Sequence, residues 1–286
     1  TYMYGHPERR SMKKTVLDIH DLQQLAPVFK KRWAAFLAKR LMKWLNIGKV
    51  NTIHARYSHL RGAEFTSAIL ADPMMDVKYR IHHSDRLKTL PEGAFITVSN
   101  HPIGSLDGIM LIDIFASRRT DFCVMVNGIL EKIGAMADNF IAVVPKTGGQ
   151  SAANPANVNG VRASLERLNN GHPMGFFPAG AMSFRNREGK VLDLPWTHSV
   201  IRLIRKAGVP VYPVYFDCRN SKFFYWLGQI NWKIRVLRVP AEAFNKRGKT
   251  LDVYIGQPIE PEIIRSYTDD KALADFLYRT TYGQKG

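Results

Sequence analysis

Cysteines and acidic residues are scarce in this chain, and long apolar runs are missing. Only Cys123 and Cys218 are present, each in an apolar stretch. That excludes a disulfide-built fold and reads as reduced core thiols in a cytosol-facing protein. No apolar run approaches the roughly eighteen residues of a membrane span. Residues 1–14 are polar and basic and lack the apolar stretch of a signal peptide. The expectation is a protein that lies on a membrane rather than one that crosses it. Asp and Glu number 24 against 41 Lys and Arg, a net charge of +17. Such a surplus suits a polyanion: nucleic acid, an anionic membrane face or phosphorylated substrates. The basic residues are spread along the chain, and no zinc, helix-turn-helix or RNA-binding pattern appears, which argues against nucleic acid.

What is present is enough chain for one large α/β domain with a short appendage: 286 residues. The reading divides it into an N-terminal helical, membrane-surface segment, 1–92, and an α/β domain, 93–286. Within Leu22–Leu45, Phe29, Trp33, Phe36, Leu37, Leu41, Trp44 and Leu45 recur at helical spacing, with Lys30, Lys31, Arg32, Lys39, Arg40 and Lys43 between them. A basic amphipathic helix edged by two Trp suits an anionic interface, with Trp33, Phe36, Leu37, Leu41 and Trp44 as membrane contacts. The bland alternative is that this face packs on the protein's own core. A second helix is expected at Ala63–Leu70. His82, His83 and Asp85 are too few and too irregular for a metal site and read as a polar edge.

From Ala94 strand-like and helix-like stretches alternate. The strands are Ala94–Val98, Phe122–Val126, Phe140–Val144, Gly175–Phe177, Val211–Phe216, Lys233–Val239 and Leu251–Ile255. The helices are Leu106–Ser117, Gly128–Ala137, Asn157–Asn169 and Thr197–Ala207. This pattern predicts a largely parallel sheet flanked by helices.

Chemistry concentrates at two places. In Asn100-His101-Pro102-Ile103-Gly104-Ser105-Leu106-Asp107, a His leaves a strand and an Asp sits where the next helix begins. That edge of an open α/β sheet is where ligands gather, and a carboxylate can fix the tautomer of a His that takes a proton from a hydroxyl. Asp107 could equally be an ordinary helix cap. The second place is Gly175-Phe176-Phe177-Pro178-Ala179-Gly180-Ala181-Met182-Ser183-Phe184-Arg185. A short strand runs into a Gly turn whose backbone N–H groups, with Ser and Arg, suit an anion or a developing oxyanion.

These stretches resemble the glycerolipid acyltransferase superfamily, whose best-known members acylate 1-acylglycerol-3-phosphate. Asn100-His101 with Asp107 matches its first motif, and Phe177-Pro178-Ala179-Gly180-Ala181-Met182-Ser183 matches part of its third, Phe-Pro-Glu-Gly-Thr-Arg-Ser. Val209-Pro210-Val211-Tyr212-Pro213-Val214 matches its fourth, and Gly256-Gln257-Pro258-Ile259 resembles the element closing the domain. Two departures stand out. His101 and Asp107 are separated by one residue more than is usual, as in a bacterial branch that acylates amino-acid-containing lysolipids such as lyso-ornithine lipid. The Glu and Arg of the third motif are Ala179 and Met182, and Met cannot make the bidentate phosphate contact of Arg.

The resemblance implies a membrane-associated O-acyltransferase acting at the cytoplasmic face as a peripheral protein. A fatty acyl group would pass from acyl-coenzyme A or acyl carrier protein, a co-substrate rather than a cofactor, to the hydroxyl of a lysolipid. No metal is implied. His101 would be general base and Asp107 its orienting partner. Asn100, Lys146, Phe177, Pro178, Gly180, Ser183, Arg185 and Pro213 would contact substrate, with donors near Gly180 and Ser183 facing the oxyanion. Two other readings compete: a serine esterase or thioesterase using Ser105 or Ser183, and a non-catalytic basic protein binding lipid or nucleic acid. The nucleophile-elbow pattern is absent at both serines.

Overall fold

The computed structural model describes residues 15–16, 32–127, 133–143 and 155–285. Its sheet is built from β1 (Val77–His82), β2 (Ile96–Ser99), β3 (Cys123–Asn127), β4 (Phe140–Val143), β5 (Met174–Phe176), β8 (Val211–Asp217) and β9 (Lys249–Ile255). A separate two-stranded hairpin is formed by β6 (Phe184–Arg185) and β7 (Val191–Leu192). The spatial order is β1-β9-β8-β2-β5-β3-β4, and all neighbours are parallel except β8 and β9. The α/β architecture with a largely parallel sheet is therefore as the alternation predicts.

Helices cover both faces, which is why the central strands read as unbroken apolar runs. On one side Phe95 and Phe122, just before β2 and β3, with Tyr212 and Phe216 of β8, pack on Met110, Leu111, Ile114 and Phe115 of the Leu106–Ala116 helix and on Phe65 and Ile69. On the other, Ile96, Val98, Met174 and Phe176 meet Ile201, Ile204, Leu273 and Leu277. Gly175 lets these layers close at the middle of β5, since a Cβ there would lie 2.8 Å from the Phe122 ring and 3.1 Å from Leu111. Asp113, on the Leu106–Ala116 helix, accepts hydrogen bonds from Thr66, Ser67 and Tyr79. One buried carboxylate thus clamps the Gly62–Ala71 helix and β1 to the helix that carries Asp107 in its first turn.

Three expectations need correction. Lys233–Val239 is not a strand: it falls in the helices Trp232–Leu237 and Val239–Phe244. Its alternation mimics a half-buried strand, but Ile234 and Val236 stay exposed. Arg235 turns inward onto the buried ring of Phe224, while Arg238, between the two helices, lies over the exposed rings of Trp44 and Phe223. The sheet also reaches back across the expected boundary at 92, because β1 pairs with β9 along its length. His82, from the cluster read as a polar edge, stacks on Tyr254 and lies 2.7 Å from Asp252. The helix expected at Gly128–Ala137 lies partly outside the described residues and otherwise gives the 3-10 turn Gly134–Asn139.

Candidate active site

β2 is buried along its whole length, and the chain must turn at its carboxyl end between two parallel neighbours. Asn100 manages that exit. Its Nδ2 donates to the carbonyl of Phe216 at 3.0 Å and its Oδ1 accepts the N–H of Phe216 at 2.8 Å. The side chain extends the ladder to β8 as a strand backbone would. Expected at the substrate, Asn100 is instead engaged at both ends by the sheet.

His101 follows with its ring partly exposed, and its Nδ1 lies 3.1 Å from Oδ2 of Asp107. Asp107 sits fully buried in the first turn of the Leu106–Ala116 helix. Its Oδ2 also accepts the N–H groups of Ile103 at 3.0 Å and Gly104 at 3.1 Å, and Oδ1 accepts that of Gly108 at 3.0 Å. The wrapped loop depends on Gly104, whose φ is +100° and where a Cβ would be 2.3 Å from Sδ of Met182.

Burial by itself would raise the carboxyl of Asp107. The charge and hydrogen bond of His101, with the N–H groups of Gly104 and Ile103, outweigh it and hold the group below its usual range. Burial likewise pulls His101 down, but the charge and hydrogen bond of Asp107 and the charge of Asp193 more than offset it, so its pKa is raised. An ionised Asp107 requires the imidazole proton on Nδ1, which leaves Nε2 as the basic nitrogen. Phe177 lies against the imidazole, with centroids 4.3 Å apart, and limits its rotation.

The Phe177–Ser183 turn is brought directly beneath this loop. Ser183 donates its N–H to the carbonyl of His101 at 2.9 Å and its Oγ–H to Oδ1 of Asp193 at 2.5 Å. The N–H of Gly180 closes the turn on Phe177 at 2.9 Å, and Pro178 accepts the N–H of Thr197 at 2.9 Å. Neither Gly180 nor Ser183 thus has a donor left for an oxyanion, contrary to expectation. The N–H groups of Ala181 and Met182 have no partner among the described residues. No hydrogen bond joins the His101 ring to Ser183 or Ser105, so the esterase reading lacks its paired nucleophile and base.

Other expected contacts fall elsewhere. Arg185 is exposed and folds over its own hairpin, with Nε 3.3 Å from the carbonyl of Gly189. Pro213 is buried in β8 opposite Val98 and accepts the N–H of Gly256 at 2.7 Å, while Val211 bridges to Ile259. The last two sequence motifs therefore fasten the sheet to the chain that follows β9. Lys146 and the side chain of Trp33 lie outside the described residues. Phe36, Leu37 and Trp44 are exposed, and Leu41 is partly so.

Sequence reasoning missed Asp193, Asn220 and Arg235. Asp193 is buried, accepts from the N–H of His101 at 3.3 Å and from Ser183, and donates its own N–H to the hydroxyl of Tyr282 at 3.0 Å. Burial raises its pKa against the pull of Ser183 and His101. Asn220 donates to the carbonyls of Pro102 and Ile103 at 3.3 and 3.2 Å. Arg235, 3.5 Å from the carbonyl of Ser183, places a half-buried cation beside the turn. An isolated Asp or Arg between apolar residues carries no local signal, so only the tertiary fold shows them.

A family model described as Acyltransferase matches residues 20–286. The chain belongs to the acyltransferase family. A lyso-glycine lipid O-acyltransferase of Bacteroides thetaiotaomicron is 30% identical over 246 residues, covering 83% of this chain and 86% of that protein. One of the same name from Phocaeicola vulgatus is 32% identical over 206 residues, covering 69% of each. The solved structure of the 1-acyl-sn-glycerophosphate acyltransferase PlsC from Thermotoga maritima aligns with a TM-score of 0.47 at 16% identity, over 86% of this chain and 93% of that one.

In this acyltransferase Asp193 ties the backbone of His101 to Ser183 without touching the imidazole nitrogens, a geometry suited to positioning the loop. Asp193→Asn is expected to lower kcat about tenfold to a hundredfold with little change in KM, the scale of a small misplacement of a reacting group. Removing its charge also lowers the pKa of His101, so the acid limb of the rate profile moves to lower pH. Steady-state kinetics across pH measure both effects. A variant with an unmoved limb would show that Asp193 serves only folding.

Proposed function

We propose that this acyltransferase moves a fatty acyl group from the thioester of coenzyme A or acyl carrier protein to the hydroxyl of a membrane-resident lysolipid. One observation carries the reading: a His whose Nδ1 is held by a buried, ionised Asp and whose Nε2 has no partner among the described residues. Nε2 of His101 takes the hydroxyl proton as the oxygen attacks the thioester carbonyl. The new C–O bond forms, the C–S bond breaks, and the proton passes from the imidazolium to the leaving thiolate. The unpaired N–H groups of Ala181 and Met182 are the oxyanion donors in this scheme, each worth roughly 2.7–4 kcal/mol. The charge of Asp107 stabilises the imidazolium formed on the way.

The acceptor in this reading is an amino-acid-containing lysolipid rather than 1-acylglycerol-3-phosphate. Both curated relatives carry the name lyso-glycine lipid O-acyltransferase. Met182, where phosphatidate-making enzymes have Arg, packs against Gly104 and offers a phosphate nothing. The exposed apolar edge of the Arg32–Trp44 helix is assigned to the cytoplasmic membrane surface, where such an acceptor resides. The test offers labelled acyl-coenzyme A and acyl carrier protein with lyso-glycine, lyso-ornithine and 1-acylglycerol-3-phosphate acceptors. Transfer to an amino-acid lipid, abolished in His101→Ala, is the expected result. Transfer confined to 1-acylglycerol-3-phosphate would refute the acceptor assignment, and transfer independent of His101 would refute the mechanism.

A further inference from the structure

The Lys222–Ile230 helix begins at the active-site loop and ends in solvent. Ser221 caps it, with Oγ accepting the N–H of Phe224 at 3.1 Å, and the preceding Asn220 is bonded to Pro102 and Ile103 beside His101. Its inner face, Phe224, Tyr225 and Leu227, is buried. Its outer face is not: Phe223 is 43% exposed, Trp226 52% and Ile230 60%. Exposing three large apolar side chains on one helix of 9 residues is unusual for a surface that meets only water.

That face is continuous with the N-terminal helix. The rings of Phe223 and Trp226 stack at 5.7 Å, and the edge of Trp44 meets Phe223 at 6.3 Å. Arg238 locks the junction, with its guanidinium 4.4 Å from the Trp44 ring and 5.7 Å from that of Phe223, and Nη1 bonded to the carbonyl of Trp44 at 2.8 Å. Charge selects the occupant. Residues 22–63 contain no Asp or Glu, and 222–241 contain none either, while both stretches carry several Lys and Arg. Trp and Phe rimmed by cations with no acid among them match the headgroup region of an anionic leaflet.

We propose that Phe223, Trp226 and Ile230 form, with Trp44 and Phe36, a two-helix platform that seats this enzyme on an anionic bilayer. The Lys222–Ile230 helix, rather than the N-terminal helix alone, sets the active-site loop at headgroup level. This deepens the membrane assignment made above. An acceptor can then reach His101 without leaving the leaflet.

The full chain is sedimented with vesicles of phosphatidylcholine alone and of phosphatidylcholine mixed with an equal amount of phosphatidylglycerol. Phe223→Ser/Trp226→Ser is compared with Phe36→Ser/Trp44→Ser. Each substitution is on an exposed surface, so an unchanged melting temperature checks the fold. The inference expects the Phe223/Trp226 variant to lose about tenfold or more in partition to the anionic vesicles, the scale of removing one or two rings from an apolar phase. Its transfer to a short-chain, water-dispersed lysolipid should match the wild type. Undiminished vesicle binding by that variant, with binding lost in Phe36→Ser/Trp44→Ser, overturns the inference and leaves the N-terminal assignment standing. Failure of the wild-type chain to bind either vesicle overturns both. Sedimentation equilibrium showing a wild-type dimer that the Phe223/Trp226 variant cannot form, without vesicle binding, assigns the face to a second copy and likewise overturns it.

Discussion

His101→Ala is expected to lose acyl transfer by about 10²–10⁴-fold in kcat while remaining folded, the range of a positioned general base. The prediction of a folded variant rests on two observations. The ring is partly exposed, so truncation opens the loop toward solvent rather than leaving a sealed cavity. Asp107 also keeps its backbone donors at Ile103, Gly104 and Gly108, so its carboxylate is not left unsatisfied. The chief packing loss is the contact with Phe177, for which a cost of about 1 kcal/mol is typical. Single-turnover transfer of labelled acyl-coenzyme A, with thermal melting alongside, reads both quantities. Retained activity in a folded variant would remove His101 from the chemistry.

Asp107→Asn separates geometry from charge. The amide has nearly the shape of the carboxylate and can keep an oxygen toward His101, Ile103 and Gly104, but its NH2 then opposes the N–H of Gly108. Flipped, it presents a donor to Nδ1 and forces the proton to Nε2, the wrong tautomer for a base. In either orientation the charge that stabilises the imidazolium is gone. Loss of about 10²–10⁴-fold in kcat is expected, the upper figure being that seen when a triad Asp is neutralised in serine hydrolases. Weakened charge-assisted hydrogen bonds should also lower stability, by about 1–3 kcal/mol. The measurement is kcat together with a denaturant titration. A variant that loses stability yet keeps full kcat would make Asp107 a helix-start residue and nothing more.

Much of the architecture was legible because two-sided burial leaves a plain trace. Ala94–Val98 and Val211–Phe216 carry no charge and are almost wholly apolar since helices cover both faces of β2 and β8, and the helices between them have clear starts. β1 escaped because Val77–His82 is an edge strand with Lys78, Arg80 and His82 facing outward, so its composition is not that of a strand core. Lys233–Val239 misled because its period-two alternation is satisfied equally by surface helices in which Arg235 folds inward and Ile234 and Val236 stay exposed. The His101–Asp107 pair was legible from type and position, since a short loop leaves little choice about where Asp107 can reach. The roles assigned to Asn100, Ser183 and Pro213 were not. A polar side chain beside a reacting group and one that ties a sheet together have the same sequence appearance, and only the partners at Phe216, Asp193 and Gly256 separate them. Asp193 and Arg235 come from distant segments and could be found only once the chain had folded.

The pH dependence of kcat/KM reports whether His101 is a base tuned by Asp107. Only the neutral imidazole accepts the hydroxyl proton, and its pKa lies above the usual 6.5. Transfer should therefore rise with pH through an apparent pKa above that value and fall away below it as the ring is protonated. In Asp107→Asn the same limb should move to lower pH, because the charge that favoured the imidazolium is absent. A limb at or below 6.5 in the wild type, or one that Asp107→Asn leaves in place, would contradict the account.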